Sequence, residues 1–183
     1  MQTAKVSSDA QSVWAIDPAH STVQFSVKNF FFFIVKGRFT EFAGNVVLDH
    51  ADMGGSSVEV AIKAASVDTG MKRRDAHLRS ADFLETDRYP DIRFQSTKIE
   101  RGKDRDTLLL TGSLTIKEKA RQVILAVDEL DHSRSPDGEE VSYYGASTEL
   151  DRFDFGIRCR RGLIGRSLKI VINVQTSRQH DFK

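Results

Sequence analysis

Asp17, His20 and Ser21 bring a carboxylate, an imidazole and a hydroxyl close together in the chain, the three groups of a nucleophilic relay. Members of such relays converge from separated elements, so this local spacing reads as a turn. The chain has no G-x-S-x-G elbow, no G-x-x-x-x-G-K-[ST] phosphate loop and no G-x-G-x-x-G fingerprint. None of His20, His50, His77, His132 and His180 makes a metal-spaced pair on one helix or strand. Cys159 stands between Arg158 and Arg160, cations that favour a thiolate, but spacing identifies no base for it. As the only cysteine it excludes an internal disulfide and a zinc site built on several thiolates. The expectation is no catalytic residue, no metal and no cofactor.

Three clusters remain that could bind something. Lys72, Arg73, Arg74 and Arg79 accompany Asp75, His77 and Asp82. Guanidinium groups grip phosphate or carboxylate, so the cluster could hold an anionic headgroup; equally, Asp75 and Arg79 are an i, i+4 pair that stabilises a solvated helix face. Helical geometry turns Arg73, Arg74 and Arg79 to different faces, which argues against one flat clamp. Arg158, Arg160, Arg161 and Arg166 surround a Gly-containing turn and read as a charged, solvated loop. Phe30, Phe31, Phe32 and Phe33, followed by Ile34 and Val35, cannot all enter one interior, because neighbours along a strand point to opposite faces. They are either a strand buried on both sides or a contact with a ligand or a second subunit, and Phe31 or Phe33 is expected at a homodimer contact or a ligand entrance.

The elements that position these groups repeat with period two. Val23, Phe25 and Val27 alternate with polar residues, as do Val58, Val60 and Ile62, and Leu168, Ile170, Ile172 and Val174. Strand-like runs also occur at Trp14 to Asp17, Phe39 to Asp49, Ile92 to Ile99, Thr107 to Ile116, Gln122 to Leu130 and Val141 to Leu150, about nine in all. Short turn-rich connections make neighbours antiparallel. Residues 71–84 lack β-branched side chains, carry Ala76, Leu78, Ala81 and Leu84 at near-helical spacing, and are followed by Tyr89-Pro90, which predicts one helix. A closed antiparallel barrel is favoured over a parallel α/β sheet, with a two-sheet sandwich as the competing geometry. With 183 residues and 39% hydrophobic content, one domain over residues 13–176 with tails at 1–12 and 177–183 is expected. A net charge of +1 gives no field for general nucleic-acid binding, and no apolar run is long enough to span a bilayer. No signal peptide is visible, so the expected compartment is the cytoplasm, or the periplasm if the N-terminus has been processed.

Several segments, taken in order, resemble the YceI-like family: Trp14 to Ser21, Gly37 to Phe42, Arg74 to Phe83 with Tyr89-Pro90, Gly112 to Ile116, and Arg152-Phe153-Asp154-Phe155-Gly156. The resemblance implies an extended lipocalin-like antiparallel barrel of about eight strands with a helix, which holds a polyisoprenoid or other long-chain amphiphile, often as a homodimer, without a settled enzymatic activity. This sequence departs from the family pattern at Asn29, where a His is common, at the bulky Phe run, at Glu118 in place of a turn Gly, and at Arg166 in place of an acidic residue. Lumen contacts to an isoprenoid or fatty chain are expected from Phe25, Val27, Phe39, Val60, Ile62, Phe94, Ile170 and Ile172. Two rival readings are an enzyme acting on a lipid-like or phenolic substrate in the same cavity, and a dimeric interaction module with a filled barrel.

Overall fold

Alternating sequences become strands whose apolar faces need a common interior, and the chain satisfies all of them by closing a ring. The computed structural model describes residues 11–30, 32–104, 107–160 and 162–179. Its strands are β1 (Gln11–Asn29), β2 (Phe33–Phe39), β3 (Phe42–Asp49), β4 (Ser57–Lys63), β5 (Val67–Asp68), β6 (Asp91–Arg101), β7 (Thr107–Ile116), β8 (Lys119–Arg134), β9 (Glu140–Asp151) and β10 (Ile164–Arg178), with helix α1 at Lys72–Arg79 between β5 and β6. Eight of them, in the order β1-β3-β4-β6-β7-β8-β9-β10, form a closed antiparallel barrel, because β10 pairs back onto β1 from Trp14↔Arg178 to Asn29↔Ile164. Closure decides for the barrel and against the sandwich.

β1 has two partners on its other edge. Residues 11–15 pair with β3, whereas residues 23–29 pair with β2, and β5 adds to β2 at Arg38↔Asp68. The change of partner coincides with a register shift between Asp17 and Thr22 on the β10 side. The run expected as one strand from Phe39 to Asp49 is broken at Thr40 and Glu41, whose backbone N–H groups both donate to Ser66 Oγ. That bend lets β2 and β3 sit one after the other along the same strand.

The helix is shorter than the 71–84 segment expected. It ends where Ser80 donates both its N–H and its hydroxyl to His77 O, after which residues 80–88 fold into turns that include Glu85 at positive φ. Asp75 and Arg79 do not pair. Asp75 is buried and accepts from Thr69 N at 2.9 Å and Thr69 Oγ1 at 2.5 Å, while Arg79 donates to the carbonyls of Ala65 and Val67. These bonds fasten α1 to the chain around β5. The strands reach beyond the expected domain limits, since Gln11 and Ser12 lie in β1 and Ser177 and Arg178 in β10. Gln179 follows β10 and donates to Val13 O, while residues 1–10 and 180–183 of the expected tails, with Phe31 and Arg161, lie outside the described residues. Among the described residues no helix is long and apolar enough to cross a membrane.

Exposed ion pairs cross the ladders and give stability a defined pH dependence. Lys63, then Arg93, holds the Asp91 carboxyl below its usual value; Arg166 does so for Asp151, and Arg178 for Glu140. Because the folded carboxyls titrate lower than the unfolded ones, their contribution is present above the ordinary carboxylate range near pH ~4 and is lost as pH falls through the depressed values. Melting temperature should therefore hold between pH 5 and 7 and drop toward pH 2 as order-of-magnitude limits. Glu140→Gln should make that drop shallower in thermal melts followed by circular dichroism; an identical acid limb would show that the Arg178 pair contributes nothing.

Candidate ligand cavity

The inward faces of the eight strands do not meet in the middle. They enclose a lumen of about 1000 Å³, at the upper end of the range for small-molecule sites. The wall is built in cross-strand rows. Phe25 lies opposite Ile170 on β10 and Gly37 on β2; Val23 lies opposite Ile172 and Phe39; Val27 lies opposite Leu168 and Val35. Across the barrel, Val60 pairs with Phe94, and Ile62 with Ile92 and Phe42. All eight side chains expected in the lumen, Phe25, Val27, Phe39, Val60, Ile62, Phe94, Ile170 and Ile172, line it.

Two glycines explain why the large rings leave it open. A Cβ on Gly37 would lie 2.4 Å from Phe25 Cζ, and one on Gly112 would lie 2.4 Å from Phe94 Cζ. Each ring therefore rests against the wall over a position without a side chain, and the space along the axis stays clear.

The two ends differ in charge. At the end where α1 packs, Phe30, Met71 and Leu163 are exposed and also line the lumen, so they form its rim, together with Arg73, Arg74 and Arg160. At the opposite end the lining includes Asp49, His50, Glu129 and Tyr144. Burial pushes the Tyr144 phenol above its ordinary pKa. Strand parity was enough to place Tyr144 and Glu129 inward, alongside Ala146, Thr148 and Leu150 and alongside Val123, Leu125 and Val127. Sequence reasoning missed them because it counted only apolar residues. It also gave no role to Asn29, whose Oδ1 is a buried oxygen at the lumen wall with no hydrogen-bond partner among the described residues.

The chemistry-bearing clusters resolve mostly into structure. His20 Nδ1 pairs with Asp17 Oδ2 at 2.7 Å, while Ser21 Oγ accepts from Gln175 N at 3.0 Å on β10. The hydroxyl is engaged elsewhere, so this trio is a turn. Arg74 donates to Thr69 Oγ1 and Thr69 O. Helix α1, the turn after it and the β9–β10 loop bring His77, Asp82 and Cys159 together with donor atoms within 4.8 Å of one another, a meeting that spacing along the chain cannot reveal. Imidazole, carboxylate and thiolate suit a zinc-type ion. Here His77 Nε2 is already 2.9 Å from Asp82 Oδ2, and Arg152 donates to the Cys159 carbonyl, with Arg158 and Arg160 on either side of the cysteine.

Arg152 organises this end. It is 2% exposed and donates to the carbonyls of Ile157, Cys159, Ile164 and Gly165 at 2.7–3.0 Å. Burial draws its pKa below the ordinary arginine value.

The barrel, its lumen and the Arg152 loop define a class of protein. The YceI-like domain matches residues 14–176. A UPF0312 protein from Shewanella denitrificans is 34% identical over 161 residues, covering 88% of this chain and 84% of that protein. BcnA from Burkholderia cenocepacia has the same fold, with a TM-score of 0.78 at 22% identity over 87% of this chain and 98% of that one. So does a polyisoprenoid binding domain from Saccharophagus degradans, with a TM-score of 0.69 at 14% identity over 91% of this chain and 98% of that one. The chain belongs to the YceI-like family.

Arg152→Met removes the donors of four carbonyls while keeping most of the side-chain volume. Orphaned buried acceptors cost ~1–3 kcal/mol each, so a loss of about 3–5 kcal/mol is expected after local relaxation. At ~2–4 °C per kcal/mol for a domain of this size, the melting temperature should fall by about 10 °C in calorimetry. A shift under about 2 °C would show that the loop holds without it.

Proposed function

We propose that the chain binds and carries a long-chain amphiphile, a polyisoprenoid or fatty chain, in the lumen. The observation that carries this reading is the apolar cavity of about 1000 Å³. Burial alone suffices for affinity: at ~0.8 kcal/mol per CH₂, ten such groups contribute about 8 kcal/mol before ordering costs. The name of the Saccharophagus degradans neighbour, a polyisoprenoid binding domain, supports the same ligand class. The head of the ligand belongs at the α1 end, where the unpartnered Asn29 Oδ1 asks for a donor such as a hydroxyl.

Native mass spectrometry of freshly purified protein, followed by organic extraction, tests the reading. A stoichiometric co-purified chain is the expected result, and a ligand-free protein that takes up no fluorescent fatty probe would sink it. Ile62→Trp, which shortens the lumen, should weaken long chains more than short ones in a displacement series; equal weakening at every length would place the chain elsewhere. Asn29→Leu should reduce affinity for a prenol or fatty alcohol by about tenfold, or ~1.4 kcal/mol, and leave a plain hydrocarbon unaffected. If both ligands respond alike, Asn29 does not read the head.

A further inference from the structure

Phe30, Phe32 and Phe33 sit at the tip of the β1–β2 hairpin. That tip is not a strand buried on both sides. Phe32, Phe33 and Ile34 are 88%, 69% and 61% exposed. None of these three lines the lumen, whereas Phe30 and Val35 on either side of them do. An apolar tip thus projects outward from the rim of the cavity. Cations surround it. On the outer face of the hairpin Lys28 lies opposite Ile34, and Lys36 lies opposite Ser26. Arg158 and Arg160 belong to the β9–β10 loop, whose Leu163 O accepts from Phe30 N at 2.8 Å. Lys28, Lys36, Arg73, Arg158 and Arg160 are all exposed, and none has a carboxylate within 4 Å among the described residues.

We propose that this end of the barrel docks on an anionic lipid bilayer, with Phe32 and Phe33 in the boundary between headgroups and acyl chains and the basic side chains at the lipid phosphates. The dimensions agree. Lys36 lies three residues from Phe33, about 10 Å along a strand at ~3.3 Å per residue, which matches the ~5–10 Å depth of interfacial anchors. The acidic groups at the far end of the lumen, Asp49 and Glu129, favour the same orientation because an anionic surface repels them. A second copy fits less well. At ~200 Å² per ring, Phe32 and Phe33 together offer about 300 Å², well under the ~800 Å² per partner of a stable interface, and a two-fold contact would bring like charges face to face. Docking here sets the rim formed by Phe30, Met71 and Leu163 against the acyl layer, so a chain passes into the lumen without crossing water. That passage rests on the carrier reading; the docking does not.

The test is flotation of the full chain with vesicles of phosphatidylcholine containing 30% phosphatidylglycerol, and with pure phosphatidylcholine, at low and high salt. The wild type should bind the anionic vesicles at least tenfold more tightly than Phe32→Ser/Phe33→Ser, and Lys28→Glu/Lys36→Glu should lose the preference for anionic lipid. High salt should weaken the wild type. Circular dichroism melts establish that the variants are folded, and displacement of a fluorescent fatty probe without vesicles reads the lumen separately. Lost flotation with probe binding retained supports docking. Equal flotation of wild type and both variants overturns it, as does a dimer in light scattering that the Phe32→Ser/Phe33→Ser chain cannot form while its vesicle binding is unchanged, since the tip would then belong to a second copy. Probe binding absent in every chain overturns the carrier reading and leaves the docking result to stand on its own.

Discussion

Pairing between β1 and β10 is the constraint on which the rest depends. It joins residues near the two ends of the described chain along most of both strands and turns an open sheet into a container. Closure gives each of the eight strands a neighbour on both sides, so outside the register shifts the ladder pairs the backbone of the ring and the wall stands without a filled core. The entropy of closing so long a loop grows only logarithmically with its length, and a ladder of this extent offsets it. One strand must also serve both β3 and β2, which requires a bend. Asp17 supplies it: its Oδ1 accepts from Ala19 N and its Oδ2 pairs with His20, which holds the carboxyl below its usual range. The residues that resemble a catalytic relay are therefore the device that bends β1 at its register shift.

A hollow barrel has to keep its side chains out of its own interior. The pairing of Phe25 with Gly37 and of Phe94 with Gly112 does so by giving each ring a place on the wall. A large side chain at either glycine position would push a ring inward and shrink the lumen. Part of the apolar lining is buried in a packed cluster, but Phe25, Val27, Val60 and Ile170 are only half-buried, so contacts that a solid core makes within the protein are left open there. Stability of the wall and capacity of the lumen thus come from separate interactions, the backbone ladder for one and side-chain size for the other.

The barrel wall was legible because alternation is a local property. Parity along a strand assigns a side chain to a face wherever the strand is straight, which is why Val60, Ile62, Ile170 and Ile172 are found where the pattern put them. Parity fails at turns. Phe30 takes a left-handed φ of 48° just after β1, so the chain turns there and leaves Phe32 and Phe33 exposed outside the lumen, and a pattern of β-prone residues gives no sign of that. The helix was placed correctly but ended early, because Ser80 takes the His77 carbonyl out of the helical ladder. Net charge is silent on how charge is distributed. A value of +1 is a sum, and the fold sends Arg73, Arg74 and Arg160 to one end of the lumen and Asp49 and Glu129 to the other. Only a topology converts composition into polarity.

The motifs that mark the family turn out to serve the wall more than the lumen. Arg152 holds the β9–β10 loop by four carbonyls, Asp75 and Arg79 fasten α1, and Gly112 seats the Phe94 ring. Such roles need particular residues, because a buried guanidinium aimed at several carbonyls or a gap beside a ring has few substitutes. Contacts with an alkyl or isoprenoid chain make no such demand: any apolar side chain of suitable size contributes dispersion and burial. A hydrophobic lumen can therefore change its residues, and with them its ligand, while the closing and fastening residues stay. The family follows from what holds the container together, whereas the room inside it is set by its volume, its two ring-seating glycines and, among the described residues, the one buried side-chain oxygen without a partner, Asn29 Oδ1.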